Sequence, residues 1–170
     1  MKSSLIVNSN INILEGFLQN YKIKGGCDPH QTPSDFTEPK YLLQRLDLEE
    51  DFFVLSRATS LEEIGNDIYP PMKRALYNKE IPFFEHHAKR ITLEELNKAD
   101  YVFYMDALNK RYMERLFGNL PEKCHIITEY SENISFIDDP WYTGQFDEVV
   151  EQITVCCENI ITKLLLKNRK

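Results

Sequence analysis

The chain has 170 residues, 42% of them hydrophobic, which is enough for one domain with a sizeable buried core. Its formal net charge of −7 argues against sequence-independent binding to nucleic acid, which needs a basic surface. The sequence contains no run of about 18 apolar residues, so it gives no indication of a membrane span. The N-terminal MKSSLIVNSNINI lacks the small-residue cleavage site of a signal peptide.

The first fifty residues give an irregular pattern. SLIVN predicts a strand and ILEGFLQNY a helix, whereas GGCDPHQTPSDFTEP predicts a loop because it is rich in Gly, Pro, Asp and Thr. EPKYLLQRL again predicts a helix. We therefore divide one domain into a divergent N-terminal part, residues 1–51, and an α/β core, residues 52–170.

Strand and helix patterns alternate from residue 52 onward. DFFVLS predicts a short strand that runs into the polar turn RATSLEEIGND, and PPMKRALYNKE has prolines suited to a first helical turn. In TLEELNK, Thr92 and Glu95 have the spacing of a capping box. YVFYM predicts a strand buried on both faces, and the helix ALNKRYMERLF and the strand CHIITEY follow it.

The last predicted helix has the clearest apolar stripe. Its members recur at helical spacing: Phe146, Val149, Val150, Ile153, Cys157, Ile160, Ile161 and Leu164. Cys156 and Cys157 lie on or beside this face, so we expect a structural role for both rather than a redox pair.

The alternation predicts a small parallel sheet covered by helices on both faces. Ligands bind such sheets at the carboxyl ends of the strands, in the loops that follow them. The sequence therefore directs attention to the loops after LIV, VLS, YVFYM and ITEY.

The segment IDDPWYTGQF, residues 137–146, combines two aspartates, a proline and two large aromatic residues in one predicted loop. Taken alone, it is typical of an acidic, solvated turn whose aromatic residues pack inward. The alternative is an acid held over a ligand pocket.

Four segments decide between these interpretations because of their order and spacing. They are SRATSLEEIGND, KEIPFFEHHAKRIT, ADYVFYMDALN and DDPWYTGQFDEVVEQI. Together they resemble the low-molecular-weight protein tyrosine phosphatases over roughly residues 52–165. The resemblance implies a small parallel sheet flanked by helices and hydrolysis of a phosphotyrosine protein or small aryl phosphate, in the cytoplasm, without a metal or cofactor.

The resemblance also implies roles for residues of the acidic segment and of the turn after DFFVLS. Asp139 matches the general acid, which is needed because a phenolate leaves poorly unless it is protonated. Trp141 and Tyr142 match the walls of the slot for the aromatic ring. Glu63 and Asn66 match residues that flank this slot, although a plain surface or capping role stays open for both.

Two further residues match positions that support the phosphate loop of the family. Ser56 matches the serine that orients the nucleophile, with a plain surface or capping role as the alternative. His86 matches the histidine that orders the loop. Because this segment carries one extra residue, His87 competes for the same role.

The family signature, a cysteine followed by five residues and an arginine, is missing. Counting six positions forward from Cys27, Cys124, Cys156 and Cys157 gives Pro33, Tyr130, Thr162 and Lys163. In the family, the backbone N–H groups of this loop hold the phosphate and lower the thiol pKa, while the arginine grips two phosphate oxygens. The cysteine spacings fit no zinc site, and reduced thiols are the simpler interpretation.

Two placements of the lost loop are open. In the first, LIVNSNINI forms the opening strand and a shortened loop, with Asn8 at the position of the nucleophile. In the second, Cys27 is the nucleophile and keeps the family spacing to Glu38, although Pro29 and Pro33 each remove a backbone donor. Neither placement supplies a guanidinium group.

We expect neither Arg45 nor Arg57 to replace the missing guanidinium, so we predict impaired hydrolysis. The alternative is an inactive pseudophosphatase that binds a phosphorylated ligand or a partner. A second interpretation of the break is that residues 1–51 are not the native start. Arsenate reductases share the fold but resemble this chain less, since their relay cysteines have no counterpart here.

Overall fold

A computed structural model describes the backbone of residues 3–8, 52–62, 64–81 and 87–168, and the side chains of residues 56–62, 64–81 and 87–163. The strands are β1 (Ser3–Asn8), β2 (Phe52–Arg57), β3 (Tyr101–Tyr104) and β4 (Cys124–Ile126). The helices are α1 (Pro70–Asn78), α2 (Leu93–Lys98), α3 (Ala107–Phe117), α4 (Pro140–Thr143) and α5 (Phe146–Asn168). The predicted helices ILEGFLQNY and EPKYLLQRL and the loop with Cys27 lie outside the described residues.

The described strands form one sheet in the order β2-β1-β3-β4, and every pair is parallel. The N-terminal strand β1 therefore lies inside the sheet, between β2 and β3. Its last residue, Asn8, is in register with Arg57 on one side and Tyr104 on the other, and Tyr104 pairs with Ile126. The carboxyl ends of all four strands meet at one edge, which confirms the predicted parallel sheet.

Helices cover both faces of the sheet and bury a separate apolar cluster on each. The larger cluster contains α1 and α5 residues together with Phe103 of β3: Ile68, Met72, Ala75, Leu76, Phe103, Ile127, Val149, Val150, Ile153, Cys156, Cys157, Ile160 and Ile161. The smaller cluster contains Ile91, Leu96, Ala99, Val102 and Met113. Since Val102 and Phe103 are neighbours in β3, their side chains point to opposite faces, and both are fully buried. This explains the continuous apolar run.

The strand predicted for CHIITEY is half wrong. β4 ends at Ile126, and Ile127–Tyr130 form one turn of 3₁₀ helix. The change of direction buries Ile127 in the larger cluster and places the Tyr130 ring 6.0 Å from that of Phe103. Packing against the core therefore outweighs the strand preference of this apolar run.

The helix ends follow local rules that the sequence shows. The predicted capping box is confirmed, because the Thr92 side chain accepts from the Glu95 N–H and the Glu95 carboxylate accepts from the Thr92 N–H. Helix α3 begins after Asp106, whose carboxylate accepts from the Asn109 N–H at 2.7 Å. It ends at Gly118, which has a φ of 79° that favours glycine.

One ion pair joins the end of β2 to the start of α2. The Arg57 Nε and Nη2 atoms lie 2.8 and 2.7 Å from Oε1 of Glu95, and Nη1 donates to the Ser56 carbonyl. Burial of Glu95 acts to raise its pKa, but the hydrogen bonds from Arg57 and Thr92 outweigh burial and hold the pKa below its usual value. The Arg57 guanidinium is thus committed to a structural contact.

We expect Glu95→Gln to lower the free energy of unfolding at pH 7 by about 1–2 kcal/mol, since glutamine keeps the capping contact but loses the charge that pairs with Arg57. Because the pKa of Glu95 is lower in the folded state, its contribution is complete above the unfolded pKa and is lost as the pH falls through the folded pKa. The difference between wild type and variant should shrink below about pH 4. Urea unfolding at pH 7 and pH 3 measures it.

Glu94→Gln is the matched control, because Glu94 pairs with Lys98 in an exposed contact on the same helix. We expect its unfolding midpoint to stay close to that of wild type. Equal losses in the two variants, or a Glu95→Gln difference of the same size at pH 3, would contradict the assignment.

Candidate active site

The acidic segment predicted as a loop contains a single helical turn, α4. Asp139 precedes it, and its Oδ1 atom accepts from the Trp141 N–H at 2.9 Å. Pro140 occupies the first helical position and is buried, and Gly144 ends the turn with a φ of 73°. Asp, then Pro, then Gly is the order of helix start and stop signals, so the sequence carried a signal for this turn that the loop prediction missed.

The two aromatic residues after Pro140 do not pack inward. Trp141 is 64% exposed and Tyr142 is 86% exposed, although large aromatic residues usually bury most of their surface. The inward-packed alternative considered for this segment is therefore wrong. Both side chains lie at the surface, and Asp139, the residue before Pro140, is also exposed.

An unpredicted residue, Tyr69, contacts this turn. The centroid of its ring lies 4.7 Å from that of Trp141 and 5.8 Å from that of Phe146, the first residue of α5. Both distances are within the range of favourable aromatic pairs. No motif marks Tyr69 in the sequence, because the pairing joins positions far apart in the chain.

Ser56 and Asn66 lie on a second structural unit, in which the turn after β2 runs beside residues 87–91. Four backbone hydrogen bonds join the two stretches: Ala58 N to Lys89 O, Ile91 N to Ala58 O, Gly65 N to Ala88 O and Ala88 N to Asn66 O. Ser56 is 2% exposed at the end of β2, and Asn66 is exposed. Glu63 lies outside the described residues, so its role stays a prediction.

His87 strengthens this unit through its side chain. Its Nδ1 atom lies 2.9 Å from the Gly65 carbonyl oxygen, a hydrogen bond in which the ring nitrogen is the donor. His86 lies outside the described residues, so its predicted role at the phosphate loop is untested. Of the two competing histidines, the structure thus describes only His87, which holds the turn that contains Asn66.

The guanidinium of Arg57, the last residue of β2, is engaged in the ion pair with Glu95. Arg57 is the residue beside Asn8 at this edge, and it is held by Glu95, as expected from the prediction that it does not replace the missing arginine. Arg45 and Cys27 lie outside the described residues. In the first placement of the lost loop, the opening strand is the one that the structure describes as β1. Asn8, which this placement puts at the position of the nucleophile, is the last residue of β1.

Three cysteines are described, and none resembles an activated nucleophile. Burial raises the pKa of Cys124, Cys156 and Cys157, whereas a catalytic thiol needs a lowered pKa. Cys156 and Cys157 are buried in the larger cluster, in agreement with a structural role.

Within the described part of the chain, no group of three or more His, Cys, Asp or Glu is arranged to hold a metal ion. The described helices include none with both the length and the apolar character of a membrane-spanning helix.

Comparison with solved structures defines the fold. The crystal structure of YfkJ from Bacillus subtilis matches with a TM-score of 0.76 at 22% identity, over 98% of this chain and 96% of that chain. The protein tyrosine phosphatase from Entamoeba histolytica matches with a TM-score of 0.71 at 18% identity, over 99% of each chain. The chain thus has the α/β fold of the low molecular weight tyrosine phosphatases.

Sequence comparison establishes the family. The model of the low molecular weight phosphotyrosine protein phosphatase family matches residues 39–170, so this chain belongs to that family. The human low molecular weight phosphotyrosine protein phosphatase is 31% identical over 125 residues, which cover 68% of this chain and 77% of the relative. YfkJ of Bacillus subtilis is 30% identical over 105 residues, or 59% of this chain and 67% of the relative. The family match begins after Cys27.

We expect Asp139→Ala to lower the free energy of unfolding by about 0.5–1 kcal/mol, because alanine removes the acceptor that caps α4. Asp139→Asn keeps an acceptor at the same position, so its unfolding midpoint should stay near that of wild type. Denaturant unfolding of the two variants measures the capping contribution. Equal destabilisation by both substitutions would show that the carboxylate charge, and not the capping hydrogen bond, stabilises the turn.

Proposed function

We propose that this chain binds aryl phosphates of the phosphotyrosine type at the Asp139 turn, and that its phosphotyrosine hydrolysis is impaired. The observation that carries the proposal is the turn itself, in which an exposed carboxylate precedes two exposed aromatic side chains, Trp141 and Tyr142. Family membership supports the substrate class, since relatives are named as phosphotyrosine protein phosphatases. We place the protein in the cytoplasm by the same resemblance.

The chemistry implied by the family divides the work between a thiolate and Asp139. The thiolate attacks phosphorus, and the phosphorus–oxygen bond to the phenol breaks while Asp139 donates a proton to the leaving oxygen. Water then attacks the cysteinyl phosphate, Asp139 takes a proton from that water, and phosphate and the thiolate are released. Oδ1 of Asp139 accepts from the Trp141 N–H. The hydrogen bond leaves Oδ2 as the oxygen that we assign to the proton transfer.

Impairment follows from the charges that this reaction needs. An aryl phosphate dianion requires fixed positive charge and several backbone N–H groups around its oxygens. No cysteine in the sequence is followed by an arginine at the required position, and Arg57 pairs with Glu95. Loss of one preorganised donor typically costs about 10²–10³ in rate, so the loss of the arginine and the loop together leaves little turnover.

The alternative function is a pseudophosphatase that binds a phosphorylated ligand and performs no chemistry. The exposed aromatic residues are retained while the cysteine–arginine signature is missing, and this difference favours the pseudophosphatase. The surface that would contact the aromatic ring is kept, with Trp141 and Tyr142 exposed, whereas the signature that would stabilise the reacting phosphate is missing from the sequence.

Hydrolysis of p-nitrophenyl phosphate by the full chain tests the impairment. We expect a rate at least about 10²-fold below that of the human relative assayed in parallel. If residual turnover is enzymatic, Asp139→Asn should lower it, because the variant keeps the helical cap but cannot act as an acid. Turnover equal to that of the relative, lost in Asp139→Asn and in Cys27→Ser, would overturn the proposal of impairment.

Binding is measured separately from turnover, by thermal unfolding with phenyl phosphate and with benzyl alcohol as the uncharged control. We expect phenyl phosphate to raise the midpoint and benzyl alcohol to leave it unchanged. Protection without turnover supports the pseudophosphatase. Absence of protection at millimolar phenyl phosphate would contradict both the impaired enzyme and the binding module.

Alkylation by iodoacetamide at pH 7 tests Cys27 as the nucleophile. We expect Cys156 and Cys157 to resist the native-state reaction because they are buried, and partly buried Cys124 to react slowly. Cys27 should react at the rate of an unactivated thiol, without protection by inorganic phosphate. Mass spectrometry assigns each site, and the denatured protein serves as the control. Fast alkylation of Cys27 that phosphate slows would establish it as the nucleophile.

A further inference from the structure

We infer that Tyr69 is a positioning residue that fixes the Trp141 side chain, and with it the ring-contacting surface of the Asp139 turn. The inference rests on the proposed function, because it assigns the residue that prepares the same site for an aromatic ligand. It goes beyond the family resemblance, which marked the acidic segment and the turn after β2 but gave no role to Tyr69.

The position of Tyr69 in the chain is unusual for its residue type. Tyr69 precedes the first turn of α1, where Ser, Thr, Asp or Asn normally accepts a hydrogen bond from the helix. It makes no such bond. Because Pro70 and Pro71 follow it and have no N–H, the helix start has fewer donors to satisfy. A tyrosine here therefore costs little capping energy, and its ring is available for a tertiary contact.

Among the described residues, the Tyr69 ring pairs with the aromatic rings of Trp141 and Phe146. Its centroid is 4.7 Å from that of Trp141 with an interplanar angle of 48°, and 5.8 Å from that of Phe146 with an angle of 42°. These tilted arrangements are favourable aromatic geometries. Tyr69 thus joins the start of α1 to the α4 turn through Trp141 and to the start of α5 through Phe146.

The contact restrains Trp141 without burying it. Trp141 remains 64% exposed and Tyr69 remains 42% exposed, so both rings keep surface that a ligand can contact. An indole fixed before binding loses less conformational entropy when an aromatic ring packs against it. Tyr69 should therefore favour ligands that carry an aryl group and have little influence on the phosphate group itself.

Trp141 is the only tryptophan of the chain, so intrinsic fluorescence reports on this contact directly. In Tyr69→Leu we expect a red-shifted emission maximum and acrylamide quenching that rises about twofold, because the indole loses its aromatic neighbour. Tyr69→Phe keeps the ring and should restore the wild-type signal. Tyr77→Leu is the matched control, since Tyr77 lies in α1, the helix that begins directly after Tyr69, and is 79% exposed.

The ligand experiment titrates phenyl phosphate and inorganic phosphate against the same variants. Tyr69→Leu should weaken binding of phenyl phosphate about threefold to tenfold, the range expected for one aromatic pair, and leave the affinity for inorganic phosphate unchanged. Tyr69→Phe and Tyr77→Leu should match wild type. Thermal unfolding of each variant verifies that the chain is folded under the assay conditions.

The outcomes separate this inference from the proposed function. If wild type binds phenyl phosphate but Tyr69→Leu changes neither the Trp141 fluorescence nor that affinity, Tyr69 does not position the indole and the inference is overturned. Equal weakening of phenyl phosphate and inorganic phosphate also overturns it, because a general structural role would act in that way. If wild type binds neither ligand, the proposed function fails, and the fluorescence of Tyr69→Leu alone decides whether Tyr69 restrains Trp141.

Discussion

The parallel pairing of β1 between β2 and β3 is the constraint on which the site depends. It brings Asn8, Arg57 and Tyr104 to one edge of the sheet, and ligands of such folds bind at that edge. The sheet has apolar residues on both faces, so a shift of one residue in β3 would exchange Val102 and Phe103 between two fully formed clusters. The register, and hence the site edge, is therefore specified by the core.

The ion pair between Arg57 and Glu95 affects the positive charge available at this edge. Arg57 is the residue of β2 in register with the last residue of β1, but its guanidinium pairs with Glu95 and stabilises the start of α2. Moving it to a ligand would leave a half-buried carboxylate without its cation, which is costly. The ion pair that fastens β2 to α2 therefore keeps the Arg57 guanidinium from a ligand at this edge.

Local rules predicted most of the described elements. Long-range contacts account for the error at β4, whereas the missed α4 turn carried a local signal in Asp139, Pro140 and Gly144. The capping box at Thr92 and the bounds of α3 depend on neighbouring residues, and both are read directly from the sequence. By contrast, β4 stops at Ile126 because Ile127 packs into a core assembled from distant segments. The same difference between local and long-range signals applies to the candidate site. A motif marks Asp139, whereas the pairing of Tyr69 with Trp141 has no sequence signal.

The Asp139 turn is held by described contacts that join it to Tyr69 and to the start of α5. Its described contacts all lie between Tyr69 and Phe146: the cap from Asp139, the glycine end at Gly144 and the aromatic pairs. These interactions use neither a thiolate nor a guanidinium, so the contacts that fix the turn differ in kind from those that would hold a phosphate. We therefore expect the contact with an aromatic ring and the stabilisation of a phosphate to be lost independently of each other.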